Sequence, residues 1–163
     1  MKTILMSATL SLLTAPAVAQ SFEHFGDFTY YPKIDPMTDE NRSYIISDGI
    51  EDADASLFFG CQDGRLKIYY DPSDYIGITD DSYTVVYRFD KQNMSAPVEW
   101  GVSTTGDAVF LPAGRITGFV RAAKAAKTII LRVFDYNGTA ITRSFGLRGL
   151  TTALNKLPCA RGM

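Results

Sequence analysis

What most constrains this chain is alternation. From residue 43 onward, apolar and polar side chains alternate with period two in short runs, and Gly, Asp, Asn or Pro separates one run from the next. Period two sends successive side chains to opposite faces of a strand, so each run reads as a strand with one buried face. The spacing predicts strands near 43–47, 55–61, 64–70, 83–90, 97–104, 107–111, 128–135 and 140–147. Two segments follow a different period: Ile116, Phe119, Val120 and Ala123 recur at helical spacing, and so do Leu150, Leu154 and Leu157. The expected fold is mainly β, an antiparallel β-sandwich or curled sheet with two short helices.

The segment 83–104 permits a sharper expectation. A turn centred between Asn93 and Met94 places Tyr87 opposite Trp100, Val85 opposite Val102 and Phe89 opposite Val98 on one face of a hairpin. The other face then pairs Arg88 with Glu99 and Thr84 with Ser103. A one-residue slip would set buried against exposed side chains, which argues for pairing of this kind and makes Trp100 a core residue.

The first 19 residues have one basic residue, Lys2, an apolar stretch from Ile4 to Leu13, and Ala17 and Ala19 before Gln20. This is the layout of a secretory signal peptide cut after Ala19. The apolar stretch falls short of the ~20 residues that span a bilayer, and Thr14 and Pro16 interrupt it. No membrane span is expected after cleavage, and the expected location is periplasmic or secreted. Residues 20–42, polar and carrying Pro32 and Pro36, read as a mobile N-terminal arm, which leaves 43–163 as a single β-rich domain. The 163 residues include 18 acidic and 16 basic ones, with no basic block, which argues against nucleic acid as a partner. In an exported protein, two cysteines most economically form one bridge, Cys61 to Cys159, with two buried thiols or a metal pair as the alternatives. That bridge would tether the C-terminal helix.

Residues that carry chemistry are few. His24 is the only histidine and falls in the expected arm, where a catalytic base would lack an orienting partner. The acidic segments "SDGIEDADAS" and "YDPSDYIGITDDS" offer oxygens but not the spacing of a calcium loop, and Asp is a common turn residue. They read as solvated turns, with weak calcium binding as a lesser alternative. Arg115, Arg121, Lys124 and Lys127 fit the polar side of the first helix. No phosphate loop is present, and no cofactor, metal or catalytic residue is expected.

Several landmarks in order, "SLFFGC", "LKIYY", "YTVVYRFD", "VEWGVSTTGDAVF", "IILRVFDYNG" and "FGLRGLTTALNKLPC", resemble the small exported VasI/TagO family associated with type VI secretion systems. The resemblance runs from about Ser43 to Cys159. It implies the disulfide-tethered architecture and an accessory role without a known reaction. The expected function is that of an exported, non-enzymatic accessory or adaptor of the cell envelope, with an envelope or secretion-system protein as partner. The alternative is a secreted inhibitor or binding module directed at an enzyme such as lysozyme. Candidate partner-binding residues are Thr84, Arg88, Glu99, Ser103, Thr105 and Asp107, on the polar face of the 83–104 hairpin and the loop beyond it.

Overall fold

The structure is a computed structural model and describes residues 21–163. The signal peptide expected over 1–19 lies outside the described residues. Ten strands form one antiparallel sheet: β1 (Glu23–Phe25), β2 (Phe28–Tyr31), β3 (Tyr44–Asp48), β4 (Ser56–Gln62), β5 (Arg65–Asp71), β6 (Ser82–Phe89), β7 (Val98–Val102), β8 (Val109–Phe110), β9 (Thr128–Phe134) and β10 (Ala140–Gly146). Their spatial order is β1-β2-β3-β4-β5-β8-β7-β6-β9-β10. Two helices accompany them, α1 (Ile116–Lys124) and α2 (Leu150–Leu154), and a single 3-10 turn, Pro158–Ala160, follows α2. All eight strands expected from alternation are present.

The sheet is curled. The chain beyond β3 reaches round to β10, where Gly49 bridges Phe145, the amide of Ile50 donates to the Ser144 carbonyl at 2.8 Å, and Ser47 Oγ donates to the Gly146 carbonyl at 2.9 Å. Curling follows from the one-sided burial of the strands: Leu57 and Phe59, Ile68 and Tyr70, Ile129, Leu131 and Val133 all point to the same interior and are almost wholly excluded from solvent. Helix α1 buries Ile116, Phe119, Val120 and Ala123 against that inner face. Its Phe119 ring lies 5.3–6.5 Å from the rings of Tyr87, Phe89, Trp100 and Phe59, so the interior is filled by aromatic side chains. Leu150, Leu154 and Leu157 are buried, and Cys159 in the 3-10 turn is bonded to Cys61 of β4 with the two Cα atoms 5.6 Å apart.

Two expectations are corrected. Part of the segment read as an arm belongs to the sheet: β1 and β2 form a hairpin that pairs onto β3, and Phe28 is buried with its ring 5.9 Å from that of Phe59. Strands of three and four residues are too short for alternation to register, and the prolines that follow dominate the composition.

The second correction concerns the β6–β7 register, which differs by four residues along β7. Thr84 faces Glu99, Tyr83 faces Trp100 and Ser82 faces Gly101. The connection is not a tight turn. Asp90 takes a positive φ of 49°, and Ser95 folds back on Tyr87, its amide donating to the Tyr87 carbonyl at 2.7 Å while its hydroxyl accepts from the Tyr87 amide at 3.0 Å. A shift by an even number keeps every side chain on its expected face. Trp100 is therefore fully buried as expected, and its ring centroid lies 6.5 Å from that of Tyr87, four residues along β6 from the Tyr83 it faces, but Arg88 has lost Glu99 as its partner and lies beside Ile130 of β9.

Candidate functional site

In an antiparallel sheet read in this order, the connections after β3, β5, β7 and β9 rise from the same end of their strands. They comprise residues 49–55, 72–81, 103–108 and 135–139. The 72–81 segment is the hub. Ile76 drives its side chain into the core, and its amide donates to the Gly106 carbonyl at 2.7 Å while its carbonyl accepts from the Tyr136 amide at 2.8 Å. Arg143 of β10 ties in the remaining connection, its Nη2 lying 2.7 Å from Asp74 and 3.2 Å from Asp52. Four loops are thus joined to one another by hydrogen bonds and ion pairs, which makes this end a fixed surface.

Of the four large apolar side chains that these connections leave exposed, Ile50 stands on the connection after β3 and the other three belong to the 72–81 and 135–139 connections. Tyr75, Ile78 and Tyr136 are 54%, 60% and 51% exposed, and the two tyrosine rings meet edge to face at 6.0 Å. Gly106 makes this possible. It has a positive φ of 74°, and a Cβ there would stand 2.7 Å from the Tyr75 ring and 2.8 Å from Ile78 Cγ2, so the absence of a side chain lets both residues rest on its backbone.

Polar groups around the cluster are carboxylates. Ser103 and Thr105 donate their hydroxyls to Asp107 Oδ1 at 2.6 and 2.7 Å, and those bonds hold its carboxyl below the usual range. Asp135 Oδ1 accepts the amides of Asn137 and Thr139 at 2.8 and 2.7 Å, fixing the loop that carries Tyr136. Across the four connections the sequence places eight Asp or Glu residues and no Lys or Arg. Beneath them the Tyr70 hydroxyl and Arg143 Nε are buried without a hydrogen-bond partner, and burial pushes the Tyr70 hydroxyl upward, opposed by the charge of Arg143.

The structure divides the six residues singled out from the sequence. Ser103, Thr105 and Asp107 form one hydrogen-bonded turn on the loop end. Thr84 and Glu99 lie on the outer face of the sheet, where Thr84 Oγ1 donates to Glu99 Oε1 at 2.5 Å and Ser82 Oγ to Glu99 Oε2 at 3.3 Å. Arg88 stands apart, in a depression with Lys91 and Arg132. Missed from the sequence were Tyr75, Ile78 and Tyr136. Their signal was apolar residues inside turn segments, "DYIGITDD" and "DYNG", where alternation gives them no strand to belong to.

His24 lies on β1, and its Nδ1 is 3.0 Å from Thr29 Oγ1. Among the described residues no group of three or more His, Cys, Asp or Glu side chains is arranged to hold a metal ion, and no helix is long and apolar enough to cross a membrane. The disulfide accords with an extracytoplasmic location.

No family model matches the chain, and no curated protein is similar to it in sequence. Among solved structures, the fold is similar to the crystal structure of invasion associated protein B from Bartonella henselae, with a TM-score of 0.57 and 14% identity over 83% of this chain and 94% of that one. At that identity the likeness is one of fold.

Proposed function

We propose that this protein is an exported, non-enzymatic accessory or adaptor of the cell envelope that works by binding another protein through its loop end. The observation that carries the reading is the cluster of Tyr75, Ile78 and Tyr136, exposed on a frame of cross-bonded loops and surrounded by carboxylates. Aromatic anchors within a polar rim are the usual composition of a protein-binding hot spot, and fixing them before binding removes part of the ordering cost. Ser103, Thr105 and Asp107 belong to that rim. Thr84 and Glu99 extend it down the outer face of β6 and β7.

The type VI secretion setting implied by the VasI/TagO resemblance is the finer part of this proposal. Sheath and baseplate genes beside the gene for this chain would support it. A structural neighbour named invasion associated protein B fits an envelope or host-contact role equally well. The alternative, an inhibitor of an enzyme such as lysozyme, draws on the same loops, because acidic loops that themselves carry no Lys or Arg complement a cationic enzyme and speed its encounter.

The test is a crosslinking pull-down from periplasmic extract with wild-type protein and the triple variant Tyr75→Ser, Ile78→Ser, Tyr136→Ser. All three side chains are exposed, so circular dichroism should be unchanged while capture is lost. Undiminished capture by the folded variant would remove the loop end from consideration. Hydrolysis of peptidoglycan by purified wild type would overturn the binding-only reading, and loss of lysozyme activity on adding it would select the inhibitor.

A further inference from the structure

A second surface lies away from the loop end. Where β6, β9 and β10 run side by side, below the connection that follows β6, the outer face of the sheet holds a depression of about 590 Å³. Its floor is apolar, formed by Val86 and Ile130, and Met94 of the connection stands beside it with 61% of its surface exposed.

Three cations line the depression: Arg88 of β6, Arg132 of β9 and Lys91 of the connection. Arg88 faces Ile130 and Val86 faces Arg132, so the two arginines are diagonal cross-strand neighbours. Positions so related are about 7–8 Å apart, within the span that two long side chains bridge. Among the described residues none of the three is in an ion pair. Asp90, which lies between Arg88 and Lys91 in sequence, and Glu99, the partner expected for Arg88, are turned to other uses. The carboxylate of Asp90 accepts from the amides of Lys127 and Thr128 and from the Thr128 hydroxyl, and that of Glu99 accepts from Thr84 and Ser82.

Arg132 is positioned as well as charged. Its Nε donates to Thr142 Oγ1 at 2.9 Å, which fixes the guanidinium plane and leaves both terminal amino groups without partners among the described residues. Like charges gathered on one face repel, and here this occurs in a chain whose net charge is −2. An anion in the depression would relieve that repulsion.

We propose that this depression binds a phosphate group carried on an apolar body. A phosphate monoester bears a charge of roughly −1.5 to −2 and three acceptor oxygens, enough to engage both guanidinium groups and the lysine together, whereas a single carboxylate would leave cations unpaired. Guanidinium groups match tetrahedral phosphate oxygens in pairs, and Lys91 adds a compact charge. Val86, Ile130 and Met94 supply the apolar contact for what the phosphate is attached to. The phosphate is that of a small phosphorylated molecule or of an anionic lipid headgroup, two sources with the same chemistry. This site does not depend on the loop end, so its failure and that of the proposed function are read in different experiments.

The test uses the isotopically labelled mature chain, titrated with inorganic phosphate and with pyrophosphate at constant ionic strength while amide shifts are followed. Saturable shifts are expected at Arg88, Ile130, Arg132 and Met94, with affinity falling by about tenfold or more in Arg88→Gln/Arg132→Gln, as loss of two charge-assisted contacts implies. Lys91→Gln, on the exposed connection, serves as the second variant, and it should weaken binding by a smaller factor. Sedimentation with phosphatidylcholine vesicles, with and without phosphatidic acid, separates the sources: retention only on the acidic vesicles assigns the headgroup, and no retention despite saturable shifts assigns the free molecule. Absence of saturable shifts together with no vesicle retention would overturn the proposal. So would shifts that persist unchanged in both variants, or tighter competition by poly-glutamate than by pyrophosphate.

Discussion

Asp27 shows how much a single side chain can organise. It sits in the turn between β1 and β2, where its carboxylate accepts from the amide of Arg148 at 2.8 Å and from Nη2 of the same residue at 2.7 Å, while its own amide donates to the Arg148 carbonyl at 2.8 Å. One residue thereby fastens the N-terminal hairpin to the chain just beyond β10. The Arg148 guanidinium and amide hold the Asp27 carboxyl below its ordinary value of 3.8. A carboxyl depressed in the folded state contributes fully above its unfolded pKa, and that contribution is lost as pH falls through the lowered folded value. Asp27→Asn should therefore lower Tm at pH 7 by about 2–4 °C and leave Tm below pH 2 nearly unchanged. Thermal melts of both proteins across pH 2–7 read this directly, and curves that stay parallel down to pH 2 would count against the link.

Strands β2, β3, β4, β5 and β8 carry a row of rings on their outer side. Tyr31, Tyr44, Phe58, Tyr69 and Phe110 follow one another with centroids 5.0, 4.9, 4.2 and 5.3 Å apart, the first three contacts stacked. Their faces are spent on one another, and what remains toward solvent is mainly edge, so the row reads as cross-strand packing that stiffens this half of the sheet. Burial pushes the Tyr69 hydroxyl up to about 12. Gly60 is what lets Phe58 join the row: a Cβ there would come within 2.4 Å of the Phe58 ring and 3.0 Å of Tyr44 Cβ. Gly60→Ala should cost about 1–3 kcal/mol, the range for overpacking, seen as a lower urea midpoint with an unchanged slope. A neutral result would show that Phe58 can swing aside without loss. The same strands explain the error over residues 20–42, since β2 is recognisable less by its own four residues than by the neighbour it pairs with.

For the whole molecule, closure of the curled sheet and the bond between Cys61 and Cys159 act on different parts of the same problem. The sheet brings β10 against the end of β3 and leaves an inner face that helices must cover. The disulfide, spanning 98 residues of sequence, keeps the chain after α2 on β4. In the chain-entropy model a loop of that length contributes up to ~4–5 kcal/mol, and measured values are typically about 2–4 kcal/mol. Cys61→Ser/Cys159→Ser should therefore lose about that much stability, and added reductant should shift the wild-type urea midpoint to that of the double variant. The oxidised chain should also be two protons lighter than the reduced one by mass spectrometry. Two thiols readily alkylated in the native state would refute the bond.

Strand positions, the inner face of each strand, the two helical stripes and the cysteine pair were all legible in the sequence, because period and parity are local properties that burial imposes on neighbouring residues. Tertiary structure decided the rest. It set the β6–β7 register, where Ser95 folding back on Tyr87 outweighed the pairing that pattern favoured, and it sent Arg88 to Arg132 instead of Glu99. It also gathered Tyr75 and Ile78 of one loop and Tyr136 of another onto one surface. The pairings of Arg88 with Arg132 and of Tyr75 with Tyr136 join residues tens of positions apart, so no short window of sequence contains them.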